Sequence, residues 1–264
     1  MIISFVDNKR VLMPKIGTRK ILHLIKKELP EEFHIGRDAF FDLLRDNHRL
    51  IRRKRTHVKT TDSNHWLYKY PNLIRNFIAS KPNQLWVSDI TYIRTKQGFM
   101  YLFLITDAYS RKIIGWSLGD TLEAKHAVNA LKMALRQLPD SHGELVHHSD
   151  RGIQYCSSVY VKLLQKKHIK ISMTENGDPL ENAIAERVNG ILKEEWINDM
   201  IINGLKDAER KINKVIITYN SARPHSSLNN MTPEMAHNQS GELKRLWRNY
   251  YKKREPEMYN FEEL

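Results

Sequence analysis

One cysteine, Cys156, stands among 264 residues. That excludes an internal disulfide and any zinc site needing two or more thiolates, while a purely histidine-based zinc site stays open. No apolar run reaches the roughly 18 to 20 residues needed to cross a bilayer. The opening stretch MIISFVDNKRVLMPKIGTRK has neither the apolar core of a signal peptide nor a small-residue cleavage site. A soluble, cytoplasmic protein with no membrane partner is expected. No a/d heptad series, internal repeat or low-complexity tract appears. Acidic charge is the minority sign, with 30 Asp and Glu against 43 Lys and Arg, for a formal net charge of +13. Such an excess favours a polyanionic partner, because clustered cations release counterions condensed on phosphate backbones. A solvated basic surface would give the same total, so the distribution says more. Residues 1–80 hold 17 Lys and Arg against 8 Asp and Glu.

The spacing of Ile21, Leu22, Leu24, Ile25 and Leu29 predicts a helix over residues 18–29, capped by Thr18 and stopped by Pro30. RDAFFDLLRDNH repeats the helical spacing, which gives a small helix-turn-helix-like pair over residues 18–48. The basic, poorly periodic stretch RLIRRKRTHVKTTDSNHW reads as a linker or an arm that tracks DNA. From residue 83 the pattern becomes strand-like. QLWVSDITYI, GFMYLFLITDAYS and KIIGWSLGD, separated by turns at Gln97-Gly98 and Ser110-Arg111, predict an antiparallel meander. A helix, a strand ending at Ser149-Asp150, a second helix, the strand IKISMT and a glycine turn at Asn176-Gly177 follow. The order βββαβαβα fits a mixed sheet flanked by helices. Asp178, Pro179 and Glu181 suit the start of the next helix. Ile184, Val188, Leu192 and Trp196 recur on it as a buried stripe, and Glu186 points away from the stripe's centre.

Three carboxylates stand out by placement: Asp89 on the first strand of the core, Asp150 after a later strand, and Glu186 in the helix after the last. Between Asp150 and Glu186 lie 35 residues. Neighbouring central strands would bring the two aspartates out at one end of the sheet, where the helix can set Glu186 beside them. Packed carboxylates raise one another's pKa, and a divalent cation reverses that balance. Mg²⁺ takes one or two carboxylates plus waters and phosphate oxygens, which describes a phosphoryl-transfer site.

LWVSDITYI, HSDRGIQY, SMTENGDPLENAIAERVNGILKEEW and YNSARPHSSLNNMTP, in this order, resemble the successive signatures of bacterial insertion-sequence DDE transposases of the OrfB type, which share the retroviral-integrase catalytic core. The similarity runs from about residue 15 to 237. It implies an RNase H-like, mixed five-stranded α/β sheet flanked by helices, with a small helical N-terminal region. The implied domains are a DNA-binding region at 1–60, a linker at 61–80, an integrase-type core with its C-terminal helix and loop at 81–237, and a charged tail at 238–264. Asp89, Asp150 and Glu186 fall on the family's catalytic and metal-holding acids. Two Mg²⁺ (or Mn²⁺) ions are the implied cofactors. The implied reactions are cleavage of double-stranded DNA at the element's ends and strand transfer into a target, through a circular intermediate. A homo-oligomer on DNA is implied too, with an upstream reading-frame product as fusion or partner. Glu181 departs from the commoner Asp at its position, and either acid serves a helix start.

Lys193 lies about two turns along the face of Glu186, the resemblance implies a place beside substrate DNA for the matching lysine, and Arg187 and His225 are further DNA-binding candidates. Arg223 either clamps a phosphate or ties its loop to the core. Asp107, Asp120, Glu123 and Glu175 read as turn and cap residues. His147 and His148 sit on opposite faces of one strand and do not share a ligand, and Cys156 reads as a small buried side chain. Two rival readings stay open: an RNase H-like nuclease, in which Glu123 would be essential, and a domesticated DNA-binding protein, which would be expected to have lost one of the three acids.

Overall fold

The computed structural model describes residues 1–51, 66–75, 77–140, 142–175, 179–243 and 246. Most of the basic arm, the turn at Asn176-Gly177, the capping residue Asp178 and nearly all of the tail lie outside these residues.

The predicted meander is present. β1 (Leu85–Thr95), β2 (Gly98–Asp107) and β3 (Ile113–Gly119) pair antiparallel, and β4 (Val146–Ser149) and β5 (Lys170–Met173) complete a five-stranded sheet in the order β3-β2-β1-β4-β5. The first hairpin turns at Gly98 (φ 118°), where glycine accepts a positive φ without steric cost, and the second at Arg111 (φ 63°). β4 runs parallel to β1 and to β5, with Trp86 opposite His147 and Val87 opposite His148. Parallel neighbours need a crossover, which α4 (Ala124–Leu135) supplies before β4, with α5 (Ile153–Cys156) and α6 (Ser158–Lys166) before β5. Ala127, Leu131 and Ala134 of α4 are buried on one face of the sheet. Gly115 of β3 lets that helix come close, since a Cβ there would lie 2.3 Å from the carbonyl oxygen of Ala130.

The opposite face carries α7 (Ala183–Glu195) and α8 (Leu205–Ser221). Val188, Leu192 and Trp196 are buried as the stripe predicts, whereas Ile184 is half-buried in a separate small cluster with Leu85 and Val87. α9 (Pro233–His237) closes the described C-terminal part, with Thr232 capping it through a hydrogen bond from the Met235 N–H.

The N-terminal helices join this second core. α2 (Thr18–Glu28) and α3 (Arg37–Asp46) match the predicted pair, although the N-cap of α2 is Gly17 and Thr18 is its first helical residue. α1 (Ile2–Leu12) was not anticipated: Val6 is its only fully buried residue, so its sequence carries little helical periodicity. Val6, Ile21, Ile25, Phe40 and Leu44 share one apolar cluster with Leu102 of β2, Leu192 of α7 and Ile216 of α8. The Trp196 indole N–H donates to the Leu12 carbonyl at 2.8 Å. Deleting residues 1–60 would therefore strip the core as well as remove basic charge.

The segment before β1 lies along the outer edge of β5. Met173 N–H donates to the Pro71 carbonyl, Leu73 N–H to the Ser172 hydroxyl and Asn72 N–H to the Glu175 carboxylate. An edge strand so covered is protected from pairing with another chain.

Candidate active site

β1 and β4 pair in register through Val87 and His148, so two positions further along each strand Asp89 and Asp150 leave the sheet side by side. This juxtaposition follows from two central strands being parallel neighbours. Asp150 also shapes the turn after β4, its Oδ1 accepting the Gly152 N–H at 3.0 Å. Glu186 projects from the first turn of α7, on its exposed side.

Charge couples the three groups. Withdrawal from solvent, then the Asp150 charge and more weakly that of Glu186, push the Asp89 carboxyl up to about 7. Partial burial and Asp150 raise Glu186 as well. Oxygen donors that repel one another at low solvation suit a hard divalent cation, which needs only one or two carboxylates when water and phosphate complete its shell. Among the described residues, no group of three or more His, Cys, Asp or Glu closes on a common ion position. The acids are thus near enough to feel each other's charge without being drawn together.

Two asparagines hold this arrangement, and the sequence reading missed both. Asn189 Nδ2 donates to Asp89 Oδ2 at 2.7 Å, and Asn182 Nδ2 donates to the Ser88 carbonyl at 3.0 Å. Asn182 immediately precedes α7 and Asn189 lies in its second turn, so they reach β1 from either side of Glu186 in the chain. A polar residue at the start of the helix and another among its buried positions are the signal that could have found them. Lys193 lies one further turn along, its ammonium 3.9 Å from the centre of the Tyr92 ring. Burial lowers its pKa and the nearby Asp89 charge opposes that shift. Beneath the acids, His147 Nε2 meets the Ser88 hydroxyl at 2.7 Å and the Tyr160 hydroxyl at 2.8 Å in a fully buried network. His148 faces the other way, its Nδ1 2.8 Å from the Ser172 hydroxyl.

Two sequence-predicted DNA contacts need correction. Arg223 is 1 % exposed and bonds Glu195 through both forks, Nε to Oε2 at 2.7 Å and Nη2 to Oε1 at 2.6 Å. It ties the loop to the end of α7 and has no path to DNA. His225 is also buried, its Nδ1 2.8 Å from the Ser227 hydroxyl, and desolvation with the Arg223 charge drives its pKa well down. It packs edge to face against the Tyr219 ring. Tyr219 and Asn220 serve the same lock: the tyrosine hydroxyl donates to the Arg111 carbonyl, and the Asn220 amide pairs with both backbone groups of Ile113. Arg187 is exposed on α7, and its charge is felt at Tyr219 and His225. Glu123 is the exposed N-cap of α4, bonded by Thr121 and paired with Lys125, while Asp107 accepts the Ser110 and Asn83 N–H groups. Cys156 is buried.

Two integrase core domain families match the chain, over residues 79–179 and 167–233. An insertion element IS600 protein of 31 kDa from Shigella sonnei is 37% identical over 220 residues, covering 82% of this chain and 79% of its own length. Transposase InsF for insertion sequence IS3fB of Escherichia coli (strain K12) is 37% identical over 180 residues, covering 67% of this chain and 62% of its own. The transposase for insertion sequence element IS904 of Lactococcus lactis is 39% identical over 62% of this chain and 65% of its own. The chain thus spans somewhat less than two thirds of the length of those two. In structure it is similar to a simian T-cell lymphotropic virus intasome chain, with a TM-score of 0.53, 15% identity and coverage of 90% of this chain and 77% of that one, a likeness of fold. Integrase-type strand order, acids brought out on adjacent strands, and identity at this level over most of the IS600 protein lead to one assignment: the chain belongs to the insertion-sequence DDE transposases, polynucleotidyl transferases with an RNase H-like core.

Proposed function

We propose that this chain cuts DNA at the ends of an insertion element and joins them to a target at Asp89, Asp150 and Glu186. The observation that carries this reading is the placement of Asp89 and Asp150 side by side on adjacent parallel strands, with the Asp150 charge felt at both Asp89 and Glu186 and the Glu186 charge felt at Asp89. Asp89 and Asp150 would hold one divalent ion, Mg²⁺ or Mn²⁺, and Glu186 would help hold a second. When bound, such ions activate an attacking water or 3′-hydroxyl and stabilise the leaving oxygen. Asn189 fixes the rotamer of Asp89, and Asn182 fixes the start of α7 against β1, so the acids need little rearrangement. Lys193 sets a cation beside Asp89, where a phosphate oxygen would arrive. The chain's basic charge supports duplex DNA as substrate and target. Family membership supports a homo-oligomer on DNA and an upstream reading-frame product as fusion or partner.

The test is metal-dependent cleavage and joining of element ends by purified protein. Asp89→Asn, Asp150→Asn and Glu186→Gln should each abolish both reactions, non-additively, with DNA binding retained. Asp89→Asn should also raise the melting temperature, since it removes a desolvated, repelled charge. Glu123→Gln should stay active. An inactive but folded Glu123→Gln would favour the RNase H-like nuclease instead, and activity in an acid-to-amide variant would overturn the site.

A further inference from the structure

Beside the acidic cluster runs a groove of about 1070 Å³ between the start of α2, the far end of the β1–β2 hairpin and the last turn of α7. Six cations line it against three carboxylates. Lys15 pairs with Asp199, and Lys20 lies 4.0 Å from Glu195. Arg19, Arg94 and Lys96 are exposed along its walls, and Lys193 lies at its end nearest Asp89. An aromatic surface completes it. Phe99 is 54% exposed, an unusual state for a phenylalanine, and meets Tyr92 edge to face at 5.5 Å between ring centres. Tyr92 carries Lys193 over its ring, three residues along β1 from Asp89.

Cations alone fit any phosphate backbone. An open aromatic face interleaved with them fits unpaired nucleotides, because in a duplex the base faces are already covered by stacking. The position adds a reason. Asp89 is half-buried within β1, beside the point where β4 ends, so a phosphodiester reaching it is helped by local opening of the duplex, which leaves bases to be sheltered nearby.

We propose that this groove binds a short unpaired DNA strand at the terminus being processed, stacking a base on Phe99 and running its phosphates along Arg94, Lys96 and Arg19. The proposal rests on the DNA-processing reading of the acidic cluster and names where the non-reacting strand of that terminus goes. The strand at the processed terminus is chosen over target DNA because its free end is the one that must thread away from the acids.

The experiment is equilibrium binding of the full chain, without divalent metal, to two fluorescein-labelled duplexes of identical arbitrary sequence, one blunt and one with a single-stranded extension at one end. Wild type should prefer the extended duplex. Phe99→Ala should reduce that preference by about five-fold or more, in line with the stacking of a single base. Arg94→Ala/Lys96→Ala should flatten the salt dependence for the extended duplex by roughly one to two phosphate contacts. An internal single-stranded gap in a closed circle serves as the target-like arm, and equal preference for it would overturn assignment to the terminus. Loss of all binding by a Phe99→Ala protein with a native circular-dichroism melt would show a footprint other than the one proposed. No preference in wild type, or one that survives both variants, would refute the groove. Cleavage by wild type is assayed in parallel with Mg²⁺: a refuted groove with active wild type leaves the reaction standing, and a sustained preference without cleavage sinks only the reaction.

Discussion

Replacing Arg223 by methionine separates its two sequence-level readings, phosphate clamp and structural tie. The guanidinium is 1 % exposed and the Glu195 side chain 9 % exposed, and two charge-assisted hydrogen bonds of 2.7 and 2.6 Å join them. Removing one partner of such a pair leaves an uncompensated buried charge, at a cost of about 3–5 kcal/mol. Lys20 stands 4.0 Å from the same carboxylate and would take up part of the deficit, which places the expected loss near the low end. For a chain of this size about 3 kcal/mol corresponds to a fall in melting temperature of roughly 6 to 12 °C. Glu195→Met in the Arg223→Met background should recover most of that loss, because an apolar pair of similar volume replaces the ions without stranding a charge. Arg223→Lys should fall between, since an ammonium cannot supply the two-pronged contact. The assay is thermal unfolding by circular dichroism, with DNA affinity of each folded variant measured by anisotropy at fixed salt. An unchanged melting temperature in Arg223→Met together with a large loss of DNA affinity would refute the buried tie and restore the phosphate clamp.

Asn189→Ala should raise the Mn²⁺ concentration needed for half-maximal cleavage by about ten-fold, as expected for loss of a group orienting a ligand, with little change in DNA affinity; an unshifted metal requirement would remove Asn189 from the site. His147 is held neutral by burial, its pKa pushed down to about 3. The unfolded chain binds that proton below about 6.5 and the folded chain does not, so His147 costs stability progressively as pH falls from about 6.5 toward 3, approaching 1.4 kcal/mol per unit. Asp89, with its folded pKa raised to about 7, acts in the opposite sense between about 7 and 3.8, so the informative quantity is wild type minus His147→Gln. Urea midpoints at pH 7.5 and 5 should show the variant losing less stability on acidification, and parallel losses would contradict the buried neutral imidazole. Fusion to an upstream segment with a second DNA-binding helix pair is expected to widen the gap between specific and non-specific end binding by several kcal/mol, within the about 4–10 kcal/mol of specific recognition. Competition between an end sequence and scrambled duplex measures it, and equal discrimination by the isolated chain would place end recognition here.

The parts of the fold that sequence made legible are those decided by local chemistry. Strand alternation, the glycine at 98 and the order of strands and helices gave the sheet, and the placement of three acids on two strands and a helix raised the candidate site. α1 was invisible because burying Val6 alone imposes almost no periodic pattern. The groove was invisible because its walls come from residues near 19, 94 and 193, which only tertiary packing brings together.

The loop around Arg223 shows most clearly why the remainder was hidden. SARPHSSLNN is mostly polar, and polar composition with proline and asparagine signals solvent exposure when only neighbours along the chain are considered. Its charge is instead neutralised by Glu195, 28 residues earlier, while Asn220, three positions before the arginine, satisfies both backbone groups of Ile113, more than a hundred residues away. Burial of a polar group is tolerable only when its partners are in place. Those partners are set by the packing of α7 and α8 on the sheet, and neither helix's own sequence records which face the loop will meet. Signature residues in such a loop therefore signal fixed geometry at the end of α7 as readily as contact with substrate. α7 carries Glu186 and also Asn189 and Lys193, which meet Asp89 and Tyr92 of β1, so the Arg223–Glu195 lock at its C-terminal end fixes the helix on which all three stand.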